Sequence, residues 1–168
     1  NSKSPLDESI VNYFKIVNCK VENLIFETLS IKTTYVVSTV FENEIETKLF
    51  EGGKEVYTIY EKNPYKNFKE ISFAIYFLNQ SAKITFSKKM GLQPVEYGHI
   101  FVYKNGIRVF PYGERGEDPL KMDNRKAQGY NRFLGTRDVL GYISIDGENT
   151  NLRETSSRGD GLIKTDTY

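Results

Sequence analysis

The sequence predicts an α+β fold, with most of the ordered chain in strands and a few helices. From Thr33 onward, segments rich in β-branched and aromatic residues alternate with turn dipeptides. Gly52-Gly53 and Asn105-Gly106 are the strongest of these turns. Helical patterns are confined to short stretches near the start of the chain and in its last third. A chain of 168 residues, of which 39% are hydrophobic, has enough apolar material for the core of one domain.

Four short helices are predicted. In an N-terminal helical segment over residues 1–18, Ser4 can cap the helix and Pro5 suits its first position. Acidic residues follow in the first turn, where they favour the positive end of the helix dipole. The other three helices are expected over residues 21–29, within residues 120–133 with a break near Gly129, and from Leu162 onward.

Strands are predicted between the turns. Residues 71–78 are an almost continuous apolar run, which is typical of a central strand that is buried on both faces. Residues 100–104 and 107–110 flank Asn105-Gly106, the favoured pair for a two-residue hairpin turn with positive φ at both positions. The remaining strands are expected over residues 33–41, 45–50, 55–60 and 139–145.

Charge and cysteine content exclude several classes of function. The net charge is +1, so no global field attracts nucleic acid or an anionic membrane. The single cysteine and single histidine, Cys19 and His99, exclude a zinc site built from His and Cys within this chain. We expect His99 to be a hydrogen-bonded structural residue. No apolar run is long enough to span a membrane and no basic, apolar leader opens the chain, so we expect a cytoplasmic protein.

The basic residues change type along the chain. Every basic residue before position 108 is a lysine, whereas all the arginines lie in the last third. Arginine suits bidentate contacts with phosphate or carboxylate, so its clustering indicates a functional C-terminal third. The alternative is that each arginine pairs with a nearby acidic residue. The arginines are Arg108, Arg115, Arg125, Arg132, Arg137, Arg153 and Arg158.

Two loops in this third combine arginine with glycine, over residues 125–137 and 155–161. Such loops can hold a phosphate through guanidinium groups and backbone amides. Neither loop carries a pair of nucleophile and base, and the chain has no P-loop motif. Anion sensing is therefore a better prediction for them than complete catalysis.

The order of several motifs resembles the middle segment of GHKL-type ATPases, the relatives of gyrase B, MutL, MORC proteins and the ninety-kilodalton heat-shock chaperone. The resemblance covers roughly residues 24–168 and is more specific from residue 97 onward. The motifs that carry it are FVYKNGIRV at 101–109, PYGE at 111–114, RKAQGYNRFLGTR at 125–137, LRETSSR at 152–158 and GLI at 161–163.

The family's nucleotide pocket lies in a preceding domain, and its ExxxN, DxGxG and lid motifs are missing here. The resemblance therefore implies that residues 19–168 are the second domain, the transducer, of a longer ATPase, which is not catalytic by itself. It implies an α+β fold with a mixed sheet layered with helices, similar to the second domain of a ribosomal small-subunit protein. ATP and Mg²⁺ would be held by the preceding domain, and this chain would bind no metal of its own.

The family's transducer projects a cation towards the γ-phosphate of ATP. The matching step is Ser157-Arg158, so the resemblance implies that Arg158 is the catalytic cation, with Ser157, Arg132 and Arg137 as further nucleotide contacts. The expected partner is the nucleotide-binding domain of the same chain, and a homodimer is also expected because family members commonly dimerise. The alternative function is a nucleic-acid-binding α+β module that uses the C-terminal arginine cluster, which the high content of aromatic residues also allows. No membrane partner is expected.

Overall fold

The computed structural model describes residues 24–65, 68–129, 132–149, 152 and 161–162. The N-terminal segment 1–18, Cys19, Ser157, Arg158 and the residues after Leu162 lie outside this described part. The helices are α1 (Leu24–Lys32), α2 (Gln80–Met90), α3 (Pro94–Tyr97) and α4 (Met122–Gln128), with a 3₁₀ helix at Thr136–Asp138. The strands are β1 (Thr34–Val40), β2 (Glu44–Glu51), β3 (Lys54–Lys62), β4 (Ile71–Phe77), β5 (Ile100–Lys104), β6 (Ile107–Val109) and β7 (Val139–Ile145).

The seven strands form one mixed sheet in the order β3-β2-β1-β4-β7-β5-β6. Every neighbouring pair is antiparallel except β5 and β7, which are parallel. The first four strands build one half of the sheet by short connections, and the β5–β6 hairpin builds the other. Strand β7 lies between the halves. The predicted α+β class with a mixed sheet and a few helices is confirmed.

The turns that the sequence marks most strongly are where they were expected. Asn105 and Gly106 have φ angles of 47° and 78°, as a two-residue hairpin turn with both φ values positive requires. Gly52 and Gly53, with φ of 56° and 79°, connect β2 to β3 in the same region of backbone space. These turns set the two hairpins because few other residues adopt positive φ without strain.

Alternate residues of the central strands face two separate cores, as the twofold repeat of a β-strand dictates. One core packs α1 and α2 against the sheet through Leu29, Phe86 and Leu140, each with no exposed surface. The other core lies on the opposite face and contains Val102 and Ile145. Strand β4 is central, as predicted, and its residues are buried or half-buried apart from Phe77, which is 38% exposed.

The helix α2 was not predicted. Its sequence is mostly polar, and the buried positions of the helix are Ala82 and Phe86. Its ends are nevertheless well defined. The Asn79 side chain accepts a hydrogen bond from the Ala82 backbone N–H at 2.8 Å, and Gly91 ends the helix with φ of 70°. This helix covers the sheet with one large side chain instead of an apolar stripe.

Replacing Phe86 by alanine is expected to lower the free energy of unfolding by about 3–5 kcal/mol, because a fully buried ring would leave a cavity. Urea unfolding followed by circular dichroism measures the loss. Ile84→Ala on the same helix is the control, since Ile84 is 49% exposed and its loss is expected to be below about 1 kcal/mol. Equal losses for the two variants would contradict this packing.

Candidate functional site

The candidate site is the loop that connects α4 to β7, described at residue 129 and at residues 132–138, together with α4 itself. The Asp118 side chain lies at the start of α4. Its Oδ1 and Oδ2 accept hydrogen bonds from the backbone N–H groups of Met122 and Asp123 at 2.8 and 2.9 Å. These bonds satisfy amides in the first turn of α4 that lack partners within the helix. Gly129 then ends the helix, as the sequence predicted.

A pair of carboxylates ties the far end of the loop back to the helix. Asp123 on α4 accepts hydrogen bonds from the backbone N–H of Thr136 at 2.8 Å and from its hydroxyl at 2.7 Å. Asp138 accepts one from the Gly135 N–H at 2.9 Å. The end of the loop is therefore held on both sides immediately before β7 begins.

Asp138 is also the centre of a small charge cluster. Its Oδ2 is hydrogen-bonded to the Lys126 ammonium of α4, and its Oδ1 lies 3.7 Å from the Lys83 Nζ of α2. Burial raises the pKa of Asp138, but the hydrogen bonds from Lys126 and the Gly135 N–H outweigh it, so the pKa is lower than normal. The carboxylate thus neutralises two lysines and connects α2, α4 and the loop.

The arginines differ from these two lysines in how many of them pair with a described carboxylate. Of the five arginines in the described part of the chain, only Arg108 forms an ion pair with a described carboxylate, to Glu114 Oε1 at 2.6 Å. Its guanidinium also lies 4.5 Å from the Phe101 ring centre and 4.8 Å from that of Phe110. Arg108 is therefore part of the packed structure of the β5–β6 hairpin.

The other four described arginines are exposed and have no acidic partner among the described residues. Two of them, Arg132 and Arg137, are residues that the resemblance implies as nucleotide contacts, and both lie on the anchored loop. The alternative that each arginine pairs with a nearby acid stays open for these positions, because Glu154 and Asp160 lie outside the described residues. The four are Arg115, Arg125, Arg132 and Arg137.

Arg158 and Ser157, the other predicted contacts, lie outside the described residues, so their distance from Arg132 and Arg137 stays a prediction. Sequence analysis missed Lys121, which is exposed and precedes α4 with φ of 56°. It also missed the anchoring roles of Asp123 and Asp138. An aspartate two residues after a Gly-Thr step is a capping pattern that could have indicated the second anchor.

Lys121 and Arg125 also line a cavity of about 460 Å³ on the second core face of the sheet. Its walls are mainly apolar and include Tyr112, Leu120 and Ile143. Two of the exposed cations of this region, Lys121 and Arg125, therefore border an apolar cavity.

His99 has the structural role expected from the sequence. The residue is 4% exposed, and its Nε2 lies 2.8 Å from the Glu117 carbonyl oxygen. This bond connects the start of β5 to the long loop before α4. The part of the chain that the structure describes contains no group of three His, Cys, Asp or Glu side chains arranged to hold a metal ion.

The resemblance to GHKL-type ATPases rests on the sequence motifs alone. A scan against protein-family models gives no match, and a search of the curated proteins gives none either. Within the residues described, every helix is too short or too polar to cross a membrane.

Asp138→Asn is expected to destabilise the protein by about 1–3 kcal/mol at pH 7, because the mutation removes the charge that neutralises Lys126 and Lys83. Because the folded-state pKa is lowered, the stabilisation is complete above the ordinary aspartate range and is lost as pH falls through the lowered pKa. Urea unfolding between pH 2 and 7 measures this dependence.

The matched control is Asp146→Asn, whose carboxylate accepts a hydrogen bond from Ser144 at 3.0 Å. That variant is expected to retain the acid-dependent loss of stability seen in the unmodified protein. An Asp138→Asn variant with the same pH dependence as the control would contradict the role of Asp138.

Proposed function

We propose that this chain is the transducer domain of a GHKL-type ATPase. It senses the γ-phosphate of ATP bound by a preceding nucleotide-binding domain and passes the closure of the two domains onward. The observation that carries the proposal is the anchored loop at 129–138, which presents Arg132 and Arg137 to solvent with no described acidic partner.

Guanidinium groups without an acidic partner among the described residues suit the sensing of a phosphate. A guanidinium that is already paired must give up its carboxylate before it can bind an anion, whereas Arg132 and Arg137 are exposed and have no such described carboxylate to give up. The hydrogen bonds of Thr136 to Asp123 restrict the loop beforehand, which lowers the entropy cost of binding. These two features favour contact with a phosphate that arrives on another domain.

Arg158 is the proposed catalytic cation, and Ser157 the neighbouring hydroxyl that contacts the same nucleotide. This assignment rests on the resemblance of the Ser157-Arg158 step. ATP and Mg²⁺ belong to the preceding domain, and Mg²⁺ supplies charge neutralisation for the phosphates when it is bound. The role of this chain is to add positive charge where negative charge develops in the transition state.

The connectivity of the loop supports a relay. The loop continues directly from Asp138 into β7 at Val139, and β7 is bonded to both β4 and β5. A displacement of the loop by a bound phosphate would therefore act on both halves of the sheet. We propose that the protein does this in the cytoplasm, as part of a longer chain.

The alternative, a nucleic-acid-binding module, is favoured by one observation. Four exposed cations without a described acidic partner follow one another in the sequence, Lys121 and Arg125 at α4 and Arg132 and Arg137 on the loop. A phosphodiester backbone would also bind such cations. The two functions differ in salt dependence and in the need for a nucleotide.

Arg158→Ala is expected to reduce kcat for ATP hydrolysis on the order of 100-fold or more in the longer protein, because it removes the transition-state cation. Arg132→Ala and Arg137→Ala are expected to reduce it about threefold to tenfold. Steady-state turnover with the nucleotide-binding domain present measures these effects. Arg115→Ala, an equally exposed arginine in the preceding loop, is the control and is expected to leave turnover unchanged.

Equal turnover by the Arg158→Ala protein and the unmodified protein would remove Arg158 from the site. The absence of ATP hydrolysis from the unmodified longer protein would overturn the proposed function as a whole.

For the alternative, fluorescence anisotropy with labelled single-stranded and duplex DNA and RNA is the direct measurement. The transducer proposal predicts no binding at 50 mM salt with micromolar protein. Binding that weakens steeply with salt and is lost in the Arg125→Ala and Arg137→Ala variants would favour the nucleic-acid function instead.

A further inference from the structure

The second core of the protein has an open space beside it. Its buried residues include Val102 and Ile145, and both also line the cavity of about 460 Å³ that Lys121 and Arg125 border. Protein interiors are normally packed as densely as organic crystals, so a space of this size next to a core is unusual. Pockets that bind small molecules have volumes of about 300–1,000 Å³, and this cavity falls within that range.

The cavity has aliphatic walls that come from separate parts of the fold. Val102 of β5 and Ile143 and Ile145 of β7 line it from the sheet, while Leu120 and Leu162 line it from outside the sheet. Ile143 and Leu120 are only half-buried, so part of the apolar lining is accessible to a ligand. An apolar group that enters the cavity is stabilised in proportion to the apolar area that it covers.

The two cations at the border are close to each other and have no acidic partner among the described residues. The Arg125 N–H donates a hydrogen bond to the Lys121 carbonyl oxygen at 3.2 Å, so the two residues are one helical turn apart. Like charges at this spacing destabilise a helix. The nearby aspartates have other partners, since Asp118 binds backbone amides of α4 and Asp123 binds Thr136. An anion beside Lys121 and Arg125 would therefore relieve a repulsion.

The backbone holds Lys121 in a conformation that residues other than glycine rarely adopt. Its φ is 56°, in the left-handed region. Its N–H donates a hydrogen bond to the Asp118 carbonyl oxygen at 2.9 Å, which closes the turn between Leu120 and α4. Residues in such conformations cost energy and are found preferentially at ligand sites. The turn thus keeps Lys121 at the border of the cavity at an energetic cost.

We propose that this cavity binds an amphipathic anion, with an acyl chain among the aliphatic walls and a carboxylate or phosphate head beside Lys121 and Arg125. A peptide fits less well, because its backbone N–H and C=O groups need hydrogen-bond partners that aliphatic walls do not offer. The site goes beyond the proposed ATPase role. Neither Arg132 nor Arg137 is among the described residues that line the cavity.

Isothermal titration calorimetry with fatty acids, below their micelle concentrations and without nucleotide, tests the proposal. Dodecanoate is expected to bind one per protein with a Kd below about 100 µM, and decanoate about tenfold more weakly because two fewer methylenes are buried. Dodecyltrimethylammonium, with the same chain and the opposite charge, is the matched control and is expected not to bind. No binding of dodecanoate would overturn the proposal and leave the ATPase role untouched.

Variants at the border test the contribution of the two cations. Arg125→Ala and Lys121→Asn are each expected to weaken dodecanoate binding about tenfold, because each removes a charge beside the head group. Asparagine suits position 121 because it tolerates positive φ. Arg115→Ala is the control, since Arg115 is exposed and is not among the described residues that line the cavity. Equal affinities in all three variants would contradict the site.

The source of the acyl anion is distinguished by cosedimentation with vesicles of equimolar phosphatidylcholine and phosphatidylglycerol. A protein that binds dodecanoate and stays in the supernatant takes a free amphiphile. Cosedimentation that is lost in Arg125→Ala and Lys121→Asn assigns a lipid of the vesicle as the ligand.

Methyl NMR locates the acyl chain in the unmodified protein. Dodecanoate is expected to shift the methyl signals of Ile143 and Ile145, which line the cavity, and to leave that of Ile84 on α2 unchanged. Ile84 is 49% exposed and is therefore a control for adsorption to the surface. Equal shifts at all three residues, or shifts at Ile84 alone, would overturn the proposal.

Discussion

The arrangement of this domain depends on the double pairing of β7. This strand is antiparallel to β4 and parallel to β5, so its backbone hydrogen bonds join two half-sheets that have no other pairing between them among the described strands. The approach is close at Gly141, where an added Cβ would lie 2.2 Å from the Ala74 carbonyl oxygen. Glycine is the residue that leaves room for the β4 backbone there. A side chain at this position would force apart the strands that unite the sheet.

The same strand positions the candidate site. Asp138 ends the arginine-bearing loop and comes directly before β7, where it draws together lysines from α2 and α4. Lys83 and Lys126 therefore neutralise Asp138, while Arg132 and Arg137 are exposed and have no acidic partner among the described residues. In the proposed function the two arginines suit the phosphate, since guanidinium groups make planar, bidentate contacts with phosphate better than an ammonium does. In the proposed function, the same connection carries the effect of phosphate binding into the sheet.

Features of the fold that depend on neighbouring residues could be predicted from the sequence. The Asn105-Gly106 hairpin, the Gly52-Gly53 turn and the strand at 139–145 are local, and all are present. The order of strands was not predictable from the residues, because the position of β7 depends on contacts between distant segments. Helix α2 was missed because few of its residues are buried, so its sequence has no apolar stripe. Its caps are clear, but they did not indicate a helix by themselves. Whether an arginine such as Arg137 is paired or free is likewise a tertiary property, which the sequence left open between two alternatives.

The two edge strands differ in length and in regularity. Strand β6 has three residues, and one of them is the packed Arg108, so it offers few backbone groups to a further strand. Strand β3 has nine residues, but its pairing with β2 shifts in register between Leu49 and Phe50, which leaves Val56 as an extra residue on β3. An irregular edge of this kind is a poor template for a strand of another molecule. The irregularity of β3 and the shortness of β6 therefore both limit aggregation through the edges of the sheet.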